Sequence, residues 1–197
     1  MNSRKKLIIS LSALAFVVVA AVVAVVAVLA ATQQTINSAV KVSYTAKDVA
    51  CTIQASALPQ NGSTETLAPV VFQYNTPVET KNANFTDVEF GVNAQGENKD
   101  TWYVEYTYVF TNNGSAAFDA VLSVNVTDGE DEYVVSVKVN TGDYEVSNTA
   151  TAEVAGGVGS TATVVVKVEL PEAKRAVDAE FAASFNWVLT SEYHVAG

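Results

Sequence analysis

The feature that most constrains the fold is an alternation of apolar and polar residues with a period of two, which runs through most of the chain after residue 31. Val104, Tyr106 and Tyr108, for example, alternate with Glu105 and Thr107. Successive side chains of a β-strand point to opposite faces, whereas a helix needs a period of about 3.6. The alternation therefore predicts an all-β protein with Trp102 and Trp187 in its core. The eight or nine expected strands have their apolar positions at Val40, Val42, Tyr44; Val49, Cys51, Ile53; Phe85, Val88, Phe90, Val92; Trp102, Val104, Tyr106, Tyr108, Phe110; Leu122, Val124, Val126; Tyr133, Val135, Val137, Val139; Ala162, Val164, Val166, Val168, Leu170; and Phe181, Ala183, Phe185, Trp187, Leu189.

Turn-forming residues separate these segments. Asn61-Gly62 and Gly156-Gly157 are typical of turns because these residues tolerate positive φ. We expect Leu122, Val124 and Val126 to pair with the strand that starts at Tyr133, through a hairpin turn opened by Asp128-Gly129. Pro171 begins the only expected helical turn, which covers residues 171–176. Residues 32–197 have the size of one domain, and the pattern predicts an antiparallel β-sandwich, either jelly-roll or Ig-like.

The first 31 residues form a separate segment, which we expect to direct export. Basic residues at positions 4–6 precede residues 7–31, where only Ser10 and Ser12 are polar. This pattern is typical of a secretory signal peptide, cleaved after Ala30 or Ala31. The run is also long enough to be an uncleaved transmembrane anchor helix. Basic residues keep their end of the segment in the cytoplasm, so either alternative places the remainder in the medium or on the extracellular face of the membrane.

The body that follows is strongly acidic. Of the 11 basic residues of the chain three lie in the leader, which leaves 8 against 21 acidic residues, a net charge of −13. Such a charge repels phosphate backbones and excludes nucleic acid as a partner.

Cys51, the only cysteine, cannot form an internal disulfide, and its alternation with Val49 and Ile53 predicts an inward-facing position.

One segment has the chemistry of a cation site. The turn after Val126 carries four carboxylates, and hard carboxylate oxygens suit calcium. The alternative is that these acids only keep a hairpin tip solvated, because the spacing of an EF-hand is missing. Calcium is therefore the only cofactor that the sequence suggests. Its candidate ligands are Asp128, Glu130, Asp131 and Glu132.

No set of residues points to catalysis. His194, the only histidine, is three residues from the end of the given chain, and no spacing distinguishes a carboxylate pair. The sequence therefore predicts a protein that is not an enzyme. Tyr103 and Tyr144 are candidates for stacking on sugars, although tyrosine is also common at exposed strand positions.

Several segments resemble a known class of exported proteins. In the leader these are KKLIISL at residues 5–11 and VLAATQQT at 28–35, followed by VKVSYTA at 40–46. In the body they are YTYVFTNNG at 106–114 and FAASFNW at 181–187. Together they resemble the TasA/camelysin class of Gram-positive bacteria, whose leaders are of the type handled by SipW signal peptidases. The resemblance implies a β-sandwich at the cell surface, and some members of the class build biofilm matrix fibres. Camelysins have been linked to peptidase activity, but the chain lacks a His-Glu-x-x-His motif.

Three functions from different classes follow. The first is a structural subunit of the cell surface or extracellular matrix, which assembles with itself by exchange of its N-terminal strand. Residues 32–45 are the expected exchange segment, because a polar, charge-free stretch leads into the alternation at Val40, Val42 and Tyr44. The alternative for this segment is a first strand within its own sheet. The second function is a membrane-tethered monomeric module for binding or adhesion, and a hydrolase is a distant third.

Overall fold

The computed structural model describes residues 34–44, 49–72, 81–90, 102–129, 132–174 and 181–190. These residues form β-strands and one short 3₁₀ turn, which confirms the prediction of an all-β protein. The predicted leader, residues 1–31, lies outside them, and within the described ranges no helix has the length and apolar character needed to cross a bilayer. The strands are β1 Gln34–Tyr44, β2 Cys51–Pro59, β3 Glu65–Thr66, β4 Val70–Phe72, β5 Lys81–Asn84, β6 Val88–Phe90, β7 Tyr103–Asn112, β8 Phe118–Asp128, β9 Val134–Val139, β10 Glu145–Val146, β11 Thr149–Val154, β12 Thr161–Glu169 and β13 Phe181–Thr190.

The strands form two sheets, which pack face to face as a β-sandwich. The first sheet has the order β11-β8-β13-β1-β5, and β6 also pairs with β1. The second sheet has the order β10-β9-β12-β7-β2-β3, and β4 also pairs with β2. From β7 onward the longer strands β7, β8, β9, β11, β12 and β13 lie alternately in the second and the first sheet, so the chain crosses repeatedly between the two layers.

Aromatic rings from both sheets meet in the core. Tyr106 and Tyr108 of β7 contact Phe185 and Trp187 of β13, and both of the closer ring pairs have centroids 4.9 Å apart. Phe110 continues the row, with its ring centroid 4.8 Å from that of Trp187. All five side chains are fully buried, and burial of rings of this size contributes roughly 1.5–3 kcal/mol each. The two inner faces are therefore the ones that the alternation predicts.

Trp187 is buried as predicted, whereas the other tryptophan is only partly so. Trp102 directly precedes β7 and packs against the edge of the core while remaining partly exposed.

The predicted helical turn is confirmed as the 3₁₀ turn Glu172–Lys174. Cys51 is fully buried on the inward face of β2, where burial raises the pKa of its thiol to about 12.

The expected hairpin between β8 and β9 is wrong. β8 pairs with β11 and β13 in the first sheet, while β9 pairs with β12 and β10 in the second. The acidic turn after β8 therefore carries the chain from one sheet to the other. Each strand buries one apolar face against the core in either arrangement, so the alternation alone does not distinguish a hairpin from a crossing.

Two further features of the first sheet differ from the expectation. The strand predicted around Phe85, Val88 and Phe90 is divided into β5 and β6, which both pair with β1 on either side of the irregularity at residues 85–87. Val92 lies outside the described residues. The sheet is also not purely antiparallel, because β1 and β13, the first and last strands, run parallel to each other.

Candidate functional site

The N-terminal strand β1 occupies an interior place in the first sheet. On one side residues 36–44 are in parallel register with residues 181–189 of β13. On the other side β1 is antiparallel to β5 at residues 39–42 and to β6 at residues 34–36. We call the space between β13 and the β5/β6 pair the β1 slot. The segment predicted for strand exchange is thus a strand of its own sheet in the single chain, which is the alternative that the sequence left open.

The sequence pattern explains why β1 fits this slot. The register places positions 40, 42 and 44 opposite Phe185, Trp187 and Leu189, which are fully buried. Val40, Val42 and Tyr44 are the apolar members of the alternation, so their period matches the inward face of β13. The polar positions between them match the outward face.

The covalent link of β1 to the rest of the body is short. Every other described strand follows β1 in the chain, and residues 45–50 connect β1 in the first sheet to β2 in the second. β5 and β6 pair with no other described strand than β1, and β13 has β8 as its other neighbour. Removal of β1 therefore exposes backbone donors and acceptors on two facing edges, which is the chemistry that accepts an added strand.

The predicted calcium turn lies at the end of the sandwich where β1 begins. Asp128 closes β8 opposite Ala182, and the next residue, Gly129, has a φ of 73°. The Gly129 carbonyl accepts the backbone N–H of Glu132 at 3.0 Å, which closes the turn. Glu130 and Asp131 are outside the described residues, and nowhere among the described residues do three His, Cys, Asp or Glu side chains group as a metal site would require. Calcium binding at Asp128, Glu130, Asp131 and Glu132 stays a prediction.

An aromatic contact joins this turn to the β1 slot. Tyr133 directly follows the turn, and its ring packs edge-on against Phe90, with centroids 5.3 Å apart. Phe90 is in register with Gln34 at the start of β1. Burial, and secondly the negative charge of Glu132, raise the pKa of Tyr133.

The remaining candidates from the sequence have different positions. His194 lies outside the described residues. Tyr103 and Tyr144 come together on the outer face of the second sheet, with Tyr103 at the start of β7 and Tyr144 directly before β10. Asn112, which no sequence pattern singles out, is buried, and its side chain forms hydrogen bonds to two loops.

Comparison with known proteins does not assign the chain to a family. No protein-family model matches the chain, and no curated protein matches it. Among solved structures, the yeast delta-COP-I mu-homology domain, alone and in complex with the Dsl1 WxWxV peptide, is similar at 7% identity and a TM-score of 0.22. In each case the similarity covers 79% of this chain and 95% of the yeast domain. A likeness at that TM-score carries no argument about fold or function.

Proposed function

We propose that the protein is an exported structural subunit of the cell surface or extracellular matrix, and that copies assemble when β1 of one molecule fills the β1 slot of the next. The observation that carries this proposal is the position of β1, an interior strand joined to the body only through residues 45–50. The leader pattern and the resemblance to the TasA/camelysin class support export. The repeated crossing of the chain between sheets supports the jelly-roll alternative over the Ig-like one.

The exchange conserves the contacts of the single chain. A strand of identical sequence in the slot makes the same main-chain hydrogen bonds to β13, β5 and β6, so the exchanged and the single-chain arrangements share these contacts. The contact is head-to-tail, and such contacts propagate into filaments when the rotation between copies does not close a ring. Export supplies the release step, because cleavage after Ala30 or Ala31 frees the end of the arm.

An engineered disulfide tests this proposal. Ala39 in β1 is directly opposite Asn84 in β5, and opposed residues of antiparallel strands have Cα atoms about 4.5–5.5 Å apart, within disulfide range. The variant Ala39→Cys/Asn84→Cys, oxidised at low concentration, locks β1 into its own sheet. We expect the oxidised variant to stay monomeric by sedimentation while the same protein after reduction, and the wild type, form filaments visible by electron microscopy as concentration rises.

Two results would refute the exchange. One is assembly of the oxidised variant to the same extent as the wild type, which would place the contact elsewhere. The other is a wild-type protein that remains monomeric at every concentration, which would favour the tethered binding module.

A further inference from the structure

The outer face of the second sheet carries a cluster of side chains that the β1 slot does not use. β7 and β12 are neighbours, and their register sets Glu105 opposite Lys167 and Tyr103 opposite Glu169. These residues alternate with buried ones along both strands and therefore lie on the outer face. We call the cluster the tyrosine face; it consists of Tyr103, Glu105, Lys138, Tyr144, Lys167 and Glu169.

Tyr144 joins the cluster from the neighbouring turn. It directly precedes β10, yet its hydroxyl donates to Glu105 Oε1 on β7 at 2.7 Å. Because β9 and β12 lie between β10 and β7, this hydrogen bond joins side chains from two separate parts of the outer face. Tyr144 remains 37% exposed to solvent. Val165 of β12, which faces outward in the same region, is only 8% exposed, so the outer face is packed beneath the cluster.

Charged groups lie beside both rings. Lys167 Nζ is 4.5 Å from the centroid of the Tyr103 ring, and Lys138 Nζ is 4.7 Å from that of Tyr144. Lys167 Nζ also contacts Glu169 Oε2 at 2.6 Å. Two lysines and two glutamates give the tyrosine face no net charge, in a body whose net charge is −13.

This combination of groups indicates the chemistry of a ligand. Aromatic rings provide flat apolar surfaces, carboxylates accept hydrogen bonds and ammonium groups donate them. A neutral sugar polymer uses all three, because its ring C–H groups stack on aromatic faces while its hydroxyl groups both donate and accept. A polyanion would meet the two carboxylates and the acidic body, and a purely apolar partner would bury four charges at a high cost.

We propose that the tyrosine face binds a neutral polysaccharide. Strands β9, β12 and β7 together span about 10 Å at the usual strand spacing, which gives an extended, open platform for a short stretch of chain instead of an enclosed pocket. The tyrosine face lies on the second sheet and the β1 slot in the first, so binding does not depend on strand exchange. In an assembled matrix each subunit would present one such face.

Affinity electrophoresis of the purified, host-processed protein tests the proposal. The probes are soluble neutral polysaccharides (a β-1,3-glucan, a β-1,4-glucan, an α-1,6-glucan and a galactomannan), with alginate as the polyanion. We expect at least one neutral polymer to retard the wild type and alginate to have no effect. Tyr103→Ala and Tyr144→Ala should each weaken the retardation about tenfold or more, which corresponds to about 1.4 kcal/mol.

Matched variants separate binding from folding. Tyr144→Phe keeps the ring and loses only the hydrogen bond to Glu105, so it should weaken the retardation less than Tyr144→Ala does. Asn186→Ala on the outer face of the first sheet should bind normally. Thermal unfolding identifies any variant that loses its fold. If a tyrosine variant does so, Lys167→Gln is the second variant of the face, and it should also weaken the retardation. The proposal is overturned if no neutral polymer retards the wild type, if only alginate does so, or if folded tyrosine variants bind as the wild type does.

Discussion

At the scale of single residues, two buried polar groups have opposite surroundings. Asn112 at the end of β7 donates from Nδ2 to the carbonyls of Ala116 and Ala155, at 2.7 and 2.9 Å, and its Oδ1 accepts the N–H of Gly114 at 2.8 Å. Tyr108 has a hydroxyl oxygen that is buried between the sheets, where no described residue forms a hydrogen bond with it. The first side chain holds loops together, while the second places a polar atom in an apolar core.

We expect Asn112→Ala to lower the free energy of unfolding by about 3 kcal/mol, because it leaves two carbonyls and one N–H of buried or part-buried loops without their partner. The neighbouring Asn113 is a matched control, since it is exposed and its side chain donates a hydrogen bond to Thr52. Asn113→Ala should cost less than about 1 kcal/mol. Urea unfolding of both variants measures the difference, and equal losses would contradict the role given to Asn112.

Tyr108→Phe should raise the free energy of unfolding by about 1 kcal/mol, because it removes a buried hydroxyl without opening a cavity. Tyr144→Phe is the control in the opposite direction, since it removes a surface hydrogen bond to Glu105 and should destabilise by less than about 1 kcal/mol. The urea midpoints of the two variants should therefore move in opposite directions. A lower midpoint for Tyr108→Phe would show that its hydroxyl is satisfied.

At the scale of strands, the sequence predicted faces better than partners. The side chains that the alternation places inward are buried as expected, because alternation is a local property of the chain. Examples are Cys51, Ile53, Val104 and Trp187. The partner of a strand depends on distant segments, so the alternation predicts neither the crossing between β8 and β9 nor the parallel β1–β13 pair.

The same limit applies to the sites. The sequence indicates Tyr103 and Tyr144 singly, whereas their proximity on the outer face depends on the sheet order. The sequence does not indicate the role of Asn112, because the fold brings its two loops together, one of them 43 residues away in the chain. The β1 slot likewise combines the first strand with the last.

A chain that begins at Ala46 should be destabilised by several kcal/mol relative to one that begins at Thr32, because β13, β5 and β6 lose a neighbouring strand. A synthetic peptide of residues 34–44 should bind the truncated body and restore much of that stability. Trp187, which is opposite Val42, should report the binding through its fluorescence. Unchanged melting of the truncated chain, with no effect of the peptide, would show that β1 contributes nothing to its sheet.

At the scale of the whole molecule, burial of weak acids predicts sensitivity to alkaline pH. Burial raises the pKa of Cys51 from 9.0 to about 12 and also raises those of Tyr108, Tyr133 and Tyr144 from 10.0. The folded state then holds these protons more tightly than the unfolded chain does. Their contribution to stability is complete below pH 9.0 and falls as pH rises from there toward the folded pKa values.

The thiol alone should contribute a slope of at most about 1.4 kcal/mol per pH unit above pH 9. Urea unfolding of the wild type and Cys51→Ala between pH 8 and 11 isolates this part, because the variant lacks only the thiol. We expect the stability of the wild type to fall more steeply with pH than that of the variant. Parallel curves would contradict the raised pKa of Cys51.

Strand exchange requires that β1 of one copy pairs with the sheet of another. Single variants Ala39→Cys and Asn84→Cys, one of them labelled with ¹⁵N, are mixed under conditions of assembly, oxidised, digested and examined by mass spectrometry. Each copy carries only one of the two introduced thiols, so a disulfide between residues 39 and 84 joins two molecules. We expect this linked peptide pair in the assembled fraction. Its absence there, with complete cross-linking inside single chains of the double variant, would contradict strand exchange.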